Sequence, residues 1–150
     1  MTPELSACTD QALRYLSLRE HNRTELRTKL LQKKHSPQIV ERTLNMLEEE
    51  GSLSEERYVR AFVRSSNKRH PEGKSIMLAR LLSKGADRQT AKAVLDEIYM
   101  DIYVRELVEN AKLALKKKHP EEDTQTIRQR LLKAGFSPSD IRLTDGLEDN

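Results

Sequence analysis

Residues 26–37, 77–88 and 127–138 align with one another at offsets of 51 and 50 positions, and this periodicity constrains the fold more than any other feature. An apolar residue opens each segment, a basic residue and paired leucines follow, and a cap-forming residue comes near the end. Leu26, Leu30 and Leu31 fall at i, i+4 and i+5 and are expected to form one buried helical stripe. Met77, Leu81 and Leu82 repeat it, as do Ile127, Leu131 and Leu132. Gly85 and Gly135 suit the left-handed position just past a helix end, where a side chain would clash. Lys34 stands there in the first segment, so that turn is expected to be strained or differently closed. Ser36, Asp87 and Ser137 then offer side-chain acceptors to the free amides of a new helix. Pro37 and Pro138 follow two of these caps at the first helical position, where no donor is needed.

The helix after each cap is predicted to bury Val40, Leu44 and Leu47 in the first unit and Ala91, Val94, Leu95 and Ile98 in the second. In the third, Ile141 is in place, but Asp145 and Gly146 fall where apolar residues would continue, which predicts a short, frayed helix. A further helix precedes each aligned segment. The first covers about residues 6–20 and turns Ala12, Leu13 and Leu16 inward. The second starts at the cap Ser54, carries Glu55 and Glu56 in its dipole-favoured first turn, and buries Tyr58, Phe62 and Ala61. The third runs from Asp101 to Lys118 on Val104, Leu107, Val108, Ala111 and Leu115. With 36% hydrophobic residues, 34% charged residues and no Trp, the chain has material for thin helical layers rather than one thick core. The expected fold is all-α: three tandem three-helix repeats in an elongated, curved array. An N-terminal segment, 1–10, leads into repeats at 11–51, 52–99 and 100–150.

The motifs of common chemistry are missing. There is no glycine-rich phosphate loop, no Cys-x-x-Cys pair and no His-Glu-x-x-His. His21, His70 and His119 lie 49 residues apart, but all three fall in the loop between the first and second helices of their units, and stacking separates such positions. A structural role at helix ends is expected, and no metal site. The single Cys8 cannot close an internal disulfide and has no neighbours that would make it a reactive thiolate. No apolar run approaches the length needed to span a bilayer, and the first residues lack the pattern of a signal peptide, so a cytoplasmic location is expected. No catalytic residue, cofactor, metal or small-molecule substrate is expected.

Charge is more informative. Between Arg57 and Lys92 stand ten basic residues against only Glu72 and Asp87, a concentration that suits an acidic partner or a polyanion. Arg57, Arg60, Arg64 and Lys68 recur at i, i+3, i+7 and i+11 along one helix face opposite Tyr58 and Phe62. Arg80 and Lys84 read as an exposed i, i+4 pair, with Arg69 and Lys74 nearby. Lys29 with Lys33 takes the equivalent place in the first unit and Arg130 in the third. A stripe copied across stacked units can line one long binding surface. It can equally be a set of solubilising charges, as the dipole-complementing Lys112, Lys116, Lys117 and Lys118 at a helix end illustrate. Aromatic residues are too few for base stacking to dominate.

Three passages give the chain a family likeness. One runs from Ala12-Leu13-Arg14-Tyr15-Leu16 through Arg19-Glu20-His21-Asn22-Arg23-Thr24-Glu25-Leu26 to Lys29-Leu30. The most specific is Gly51-Ser52-Leu53-Ser54-Glu55-Glu56-Arg57-Tyr58-Val59-Arg60-Ala61-Phe62-Val63-Arg64, and the third joins Gly73 with Ile76, Leu81, Lys84 and Gly85. Over about residues 11–147 the sequence resembles the RecX family, bacterial regulators of the RecA recombinase. It departs from the family at Lys34-His35, at His70-Pro71-Glu72 and in its weak last helix. The resemblance implies a protein that binds RecA and the RecA–single-stranded DNA filament in its groove. It also implies inhibition of ATP hydrolysis, strand exchange and stimulated repressor self-cleavage, which would regulate recombination, DNA repair and the SOS response. The basic side chains would then meet either an acidic RecA surface or the DNA of the filament. The alternative from composition alone is a general nucleic-acid-binding helical module.

Overall fold

A computed structural model describes residues 1–145 of the chain. Among them stand nine helices and no strand: α1 (Pro3–Leu18), α2 (Arg23–Gln32), α3 (Pro37–Glu50), α4 (Glu55–Arg69), α5 (Lys74–Ser83), α6 (Arg88–Ile98), α7 (Asp101–Lys118), α8 (Thr124–Lys133) and α9 (Pro138–Asp145). They form three sets of three, as the repeat predicts. The compact units do not follow the repeats. One unit comprises residues 1–61 and 81–91, and the other residues 62–80 together with those from Lys92 onward. The middle repeat is thus divided, each unit taking one end of α4, α5 and α6.

In the first unit, α1, α2 and α3 enclose Cys8, Ala12, Leu26, Leu30, Val40, Leu44 and Leu47, with Leu53 closing the base. Thr2 caps α1 by accepting from the Leu5 amide, so the helix starts three residues before the predicted bound and buries Leu5 and Cys8. Leu13, expected inside, is 42% exposed. Its place on the buried face is taken by Cys8 and Ala12, one turn apart. Asn22 and Glu25 form a reciprocal capping box at the start of α2, with bonds of 2.8 and 2.9 Å.

The expected stripe of paired leucines is corrected at its second member. Leu26 and Leu30 are fully buried but Leu31 is exposed, and Leu131 is buried while Leu132 is exposed. Leu82 is only half-buried. A step of i+5 turns about 140° around a helix, off the face that i and i+4 share. In α4 the buried face is turned differently from the expected one: Phe62 and Ala61 are half-buried, and Val59 and Val63 take the core positions beside Tyr58.

The three turns after α2, α5 and α8 close alike. The amides of His35, Ala86 and Phe136 donate to the carbonyls of Leu30, Leu81 and Leu131, five residues back. Lys34 adopts φ 71°, beside 95° for Gly85 and 97° for Gly135, so the lysine bears the left-handed strain instead of changing the turn. The predicted caps at Ser36, Asp87 and Ser137 all accept from the amide three residues on, at 3.4, 3.0 and 3.0 Å.

The second unit packs Val104, Leu107, Val108 and Ala111 of α7 on Ile127 and Leu131 of α8, with Phe136 and Ile141. Asn67 organises its other end. Its amide donates to the Tyr99 and Tyr103 hydroxyls (3.0 and 2.9 Å), and its carbonyl oxygen accepts from the Glu72 amide (3.0 Å). Helix α9 is eight residues long and buries Ile141 and Thr144, whose hydroxyl receives Lys112 Nζ at 2.6 Å. Gly146, part of the predicted fraying, lies outside the described residues.

One joint links a repeat to the next, and it recurs at the repeat offset. In the first unit, Asn22 Nδ2 donates to the Lys84 carbonyl at 3.0 Å. In the second, the Gly73 amide, 51 positions on, donates to the Ala134 carbonyl at 2.9 Å. Any Cβ at Gly73 would overlap the Gly135 carbonyl oxygen, so here only glycine allows the two backbones to meet.

Candidate partner-binding surface

The basic residues singled out by sequence fall into two groups, those engaged by the fold and those that are not. In the first unit, Arg57 reaches Glu20 (Nε to Oε1, 3.0 Å) and donates to the Ser52 carbonyl, while Arg60 pairs with Glu56 at 3.0 Å. Lys29 Nζ lies 2.8 Å from His21 Nε2 and 5.0 Å from the centre of the Tyr15 ring. Lys33 and Lys84 are exposed and have no acidic partner among the described residues.

In the second unit, Arg64, Lys68 and Arg69 are exposed along α4, again without an acidic partner among the described residues. Lys74 pairs with Asp96. Arg80 donates to Glu72 Oε1 (2.6 Å) and Ser66 Oγ (2.9 Å) and lies over the Phe62 ring. Arg80 keeps part of its side chain exposed, as the pairing with Lys84 expects, and its guanidinium also braces the loop before its own helix. Arg130 does the same in the third repeat, meeting Glu122 with Nε to Oε2 at 2.6 Å.

These braces are one device in three forms. His21 with Lys29, Glu72 with Arg80 and Glu122 with Arg130 occupy matching positions, each pair eight residues apart. The even spacing of the histidines hid this, since the structural equivalents of His21 are Glu72 and Glu122. His70 is exposed just beyond α4, and His119 caps the end of α7, 3.7 Å from Glu122. Among the described residues no group of three or more His, Cys, Asp or Glu is placed to hold a metal.

His21 is 1% exposed, and its Nδ1 lies 3.0 Å from the Arg19 carbonyl. A neutral ring donating there and accepting from Lys29 satisfies both contacts. Burial pushes its pKa down, and the charges of Arg19 and Lys29 push the same way. Glu41 is held down to about 2 by hydrogen bonds from Arg27 and Arg23. Burial raises the Cys8 thiol, the reverse of what activates a cysteine.

Sequence reading missed three contributors. Glu55 was read as a dipole-favoured residue, yet its carboxylate receives the Arg23 amide (2.7 Å) and the Asp87 amide (3.1 Å), tying α2 to the turn before α6. Asn22 and Asn67 are buried polar residues at helix ends, and each serves partners that are distant in sequence. Periodicity carries no signal for such contacts. What the exposed cations can do chemically is attract an anionic surface, and no helix among the described residues is long and apolar enough to cross a membrane.

Comparison with known proteins is consistent across sequence and structure. Residues 8–47 match the family described as RecX, first three-helix domain. The regulatory protein RecX of Halorhodospira halophila is 33% identical over 149 residues, which span 95% of this chain and 89% of that protein. The RecX of Bacillus subtilis is 27% identical over 132 residues, and that of Chlorobium limicola 36% over 86; the chain spans about half the length of each (50% and 54%). The crystal structure of RecX from Lactobacillus salivarius superposes with a TM-score of 0.83 at 22% identity, covering 100% of both chains. A second crystal structure, of regulatory protein RecX, gives 0.77 at 20% identity and covers 98% of this chain and 74% of that one. The two structures share the fold, and the Halorhodospira match runs through nearly the whole of both sequences: the chain belongs to the RecX family of regulatory proteins.

Proposed function

We propose that this protein regulates the RecA recombinase by binding RecA and its single-stranded DNA filament, within the filament groove, and has no chemistry of its own. Family membership across 149 residues carries the reading. The basic residues without acidic partners among the described residues, Arg64, Lys68, Arg69, Lys33 and Lys84, support it, because they present charge that the described part of the fold does not neutralise. The expected effect is inhibition of ATP hydrolysis, strand exchange and repressor self-cleavage, and hence control of recombination, repair and the SOS response. Added below stoichiometry to RecA on single-stranded DNA, the protein should depress ATP hydrolysis. Replacing Arg64 and Lys68 together by Glu should weaken that effect about tenfold or more while leaving helicity unchanged, since exposed charges contribute little to stability. Unaltered hydrolysis at saturating protein would overturn the proposal.

A second reading, a general nucleic-acid-binding module, is favoured by the same row of cations on α4. It requires binding to naked DNA that weakens steeply as salt rises, because each neutralised phosphate releases counterions. Negligible affinity for naked DNA with retained filament binding excludes it.

A further inference from the structure

Within the second unit, the end of α4, the start of α5, α7 and α8 surround an open cleft of about 520 Å³. Its floor is aliphatic, with Ile76, Ala114 and Leu115 among the lining side chains, and its rim carries Arg69, Lys118 and Lys133. The three rim residues are exposed and have no acidic partner among the described residues. Each is the last residue of its helix, where the backbone dipole offers roughly half a negative charge, so three full positive charges still exceed what the helices offset. The other charged groups at the cleft are already balanced, Arg130 by Glu122 and Glu72 by Arg80. The cleft therefore combines an apolar seat with uncompensated positive charge.

Two features decide what anion fits. No Phe, Tyr or Trp lines the cleft, so a nucleobase finds only the exposed His70 ring to stack on, and the aliphatic floor suits an apolar side chain better. Glu72, which also lines it, keeps Oε2 buried without a hydrogen-bond partner among the described residues. That oxygen is closed to a ligand, so the selection falls to the apolar seat and its rim cations, which together fit an anion that also carries an apolar side chain. We propose that this cleft is a docking site for an acidic peptide segment with one large apolar side chain. The apolar group sits on Ile76, Ala114 and Leu115, and the flanking carboxylates meet Arg69, Lys118 and Lys133. The site would give this protein a grip on a protein partner that is separate from any contact with DNA, and it does not depend on that partner being RecA.

The test uses the whole protein and fluorescein-labelled synthetic peptides, read by anisotropy. Asp-Glu-Leu-Asp-Glu is the probe, Asp-Glu-Ser-Asp-Glu its apolar control, and a short oligo(dT) the nucleic-acid control. The leucine peptide should bind at least about tenfold more tightly than the serine peptide, since seating a leucine side chain contributes more than a factor of ten. Ala114→Glu, at an exposed position, and Lys118→Glu should each weaken it about tenfold, with circular dichroism unchanged. Lys133→Glu replaces Ala114→Glu if that variant loses helicity. Equal binding of the two peptides would overturn the proposal in favour of nonspecific surface charge. Unchanged affinity in the folded variants, or displacement of the peptide by oligo(dT) at equal concentration, would also overturn it.

Discussion

His21 shows how much one side chain can decide. Its buried ring donates toward Arg19 and accepts from the Lys29 ammonium, an arrangement open only to the neutral form. Because burial holds the folded pKa below the ordinary 6.5, the unfolded chain takes up the proton first as pH falls. The stability His21 contributes is complete above 6.5 and is lost as pH falls from there through the folded pKa. Urea midpoints should therefore drop between about pH 7.5 and pH 5.5, and His21→Gln, which keeps an acceptor for Lys29, should lose most of that drop. An identical pH dependence in the variant would assign the titration to other groups. Glu41, held near 2, does not titrate in this window.

At the level of elements, the important contact is the joint between the N-terminus of one repeat's second helix and the turn of the next repeat. Asn22 makes it with a side chain, Gly73 with bare backbone, and the two solutions are not interchangeable. A methyl group at Gly73 meets backbone, which cannot rotate away. Gly73→Ala should therefore cost about 1–3 kcal/mol, the range for overpacking, and shift the denaturant midpoint accordingly. A loss below about 0.5 kcal/mol would show that the joint yields to accommodate it. The paired leucines teach a related lesson. Leu30 and Leu131 hold the core, while Leu31 and Leu132 stay exposed although the repeat copied both.

For the whole molecule, the division into units matters more than the division into repeats. The first unit is incomplete without residues 81–91, which supply the Lys84 carbonyl to Asn22 and the Asp87 amide to Glu55. Repeat arrays gain much of their stability from such neighbour contacts. A fragment of residues 1–51 should accordingly lack a cooperative thermal transition, whereas one of residues 1–99 should show it by circular dichroism. Cooperative melting of the shorter fragment would mean that the first repeat is self-sufficient.

Sequence by itself determined the class of fold, the three-fold repetition, the cap residues at Ser36, Asp87 and Ser137, and the left-handed turns at Gly85 and Gly135. These depend on local geometry, where an amide three residues away or a helical period leaves a readable pattern. The basic residues were legible as a set but not in their roles. Whether Arg80 braces Glu72 or Arg64 faces solvent depends on a partner several residues off and on helix phase, which moved both Leu31 and Phe62 from their expected places. The cleft left no trace in sequence, because its floor and rim come from α4 and α5 on one side and from α7 and α8 on the other, with α6 between them along the chain. Only tertiary structure brings them together, since charge and burial are properties of the assembled surface rather than of any segment.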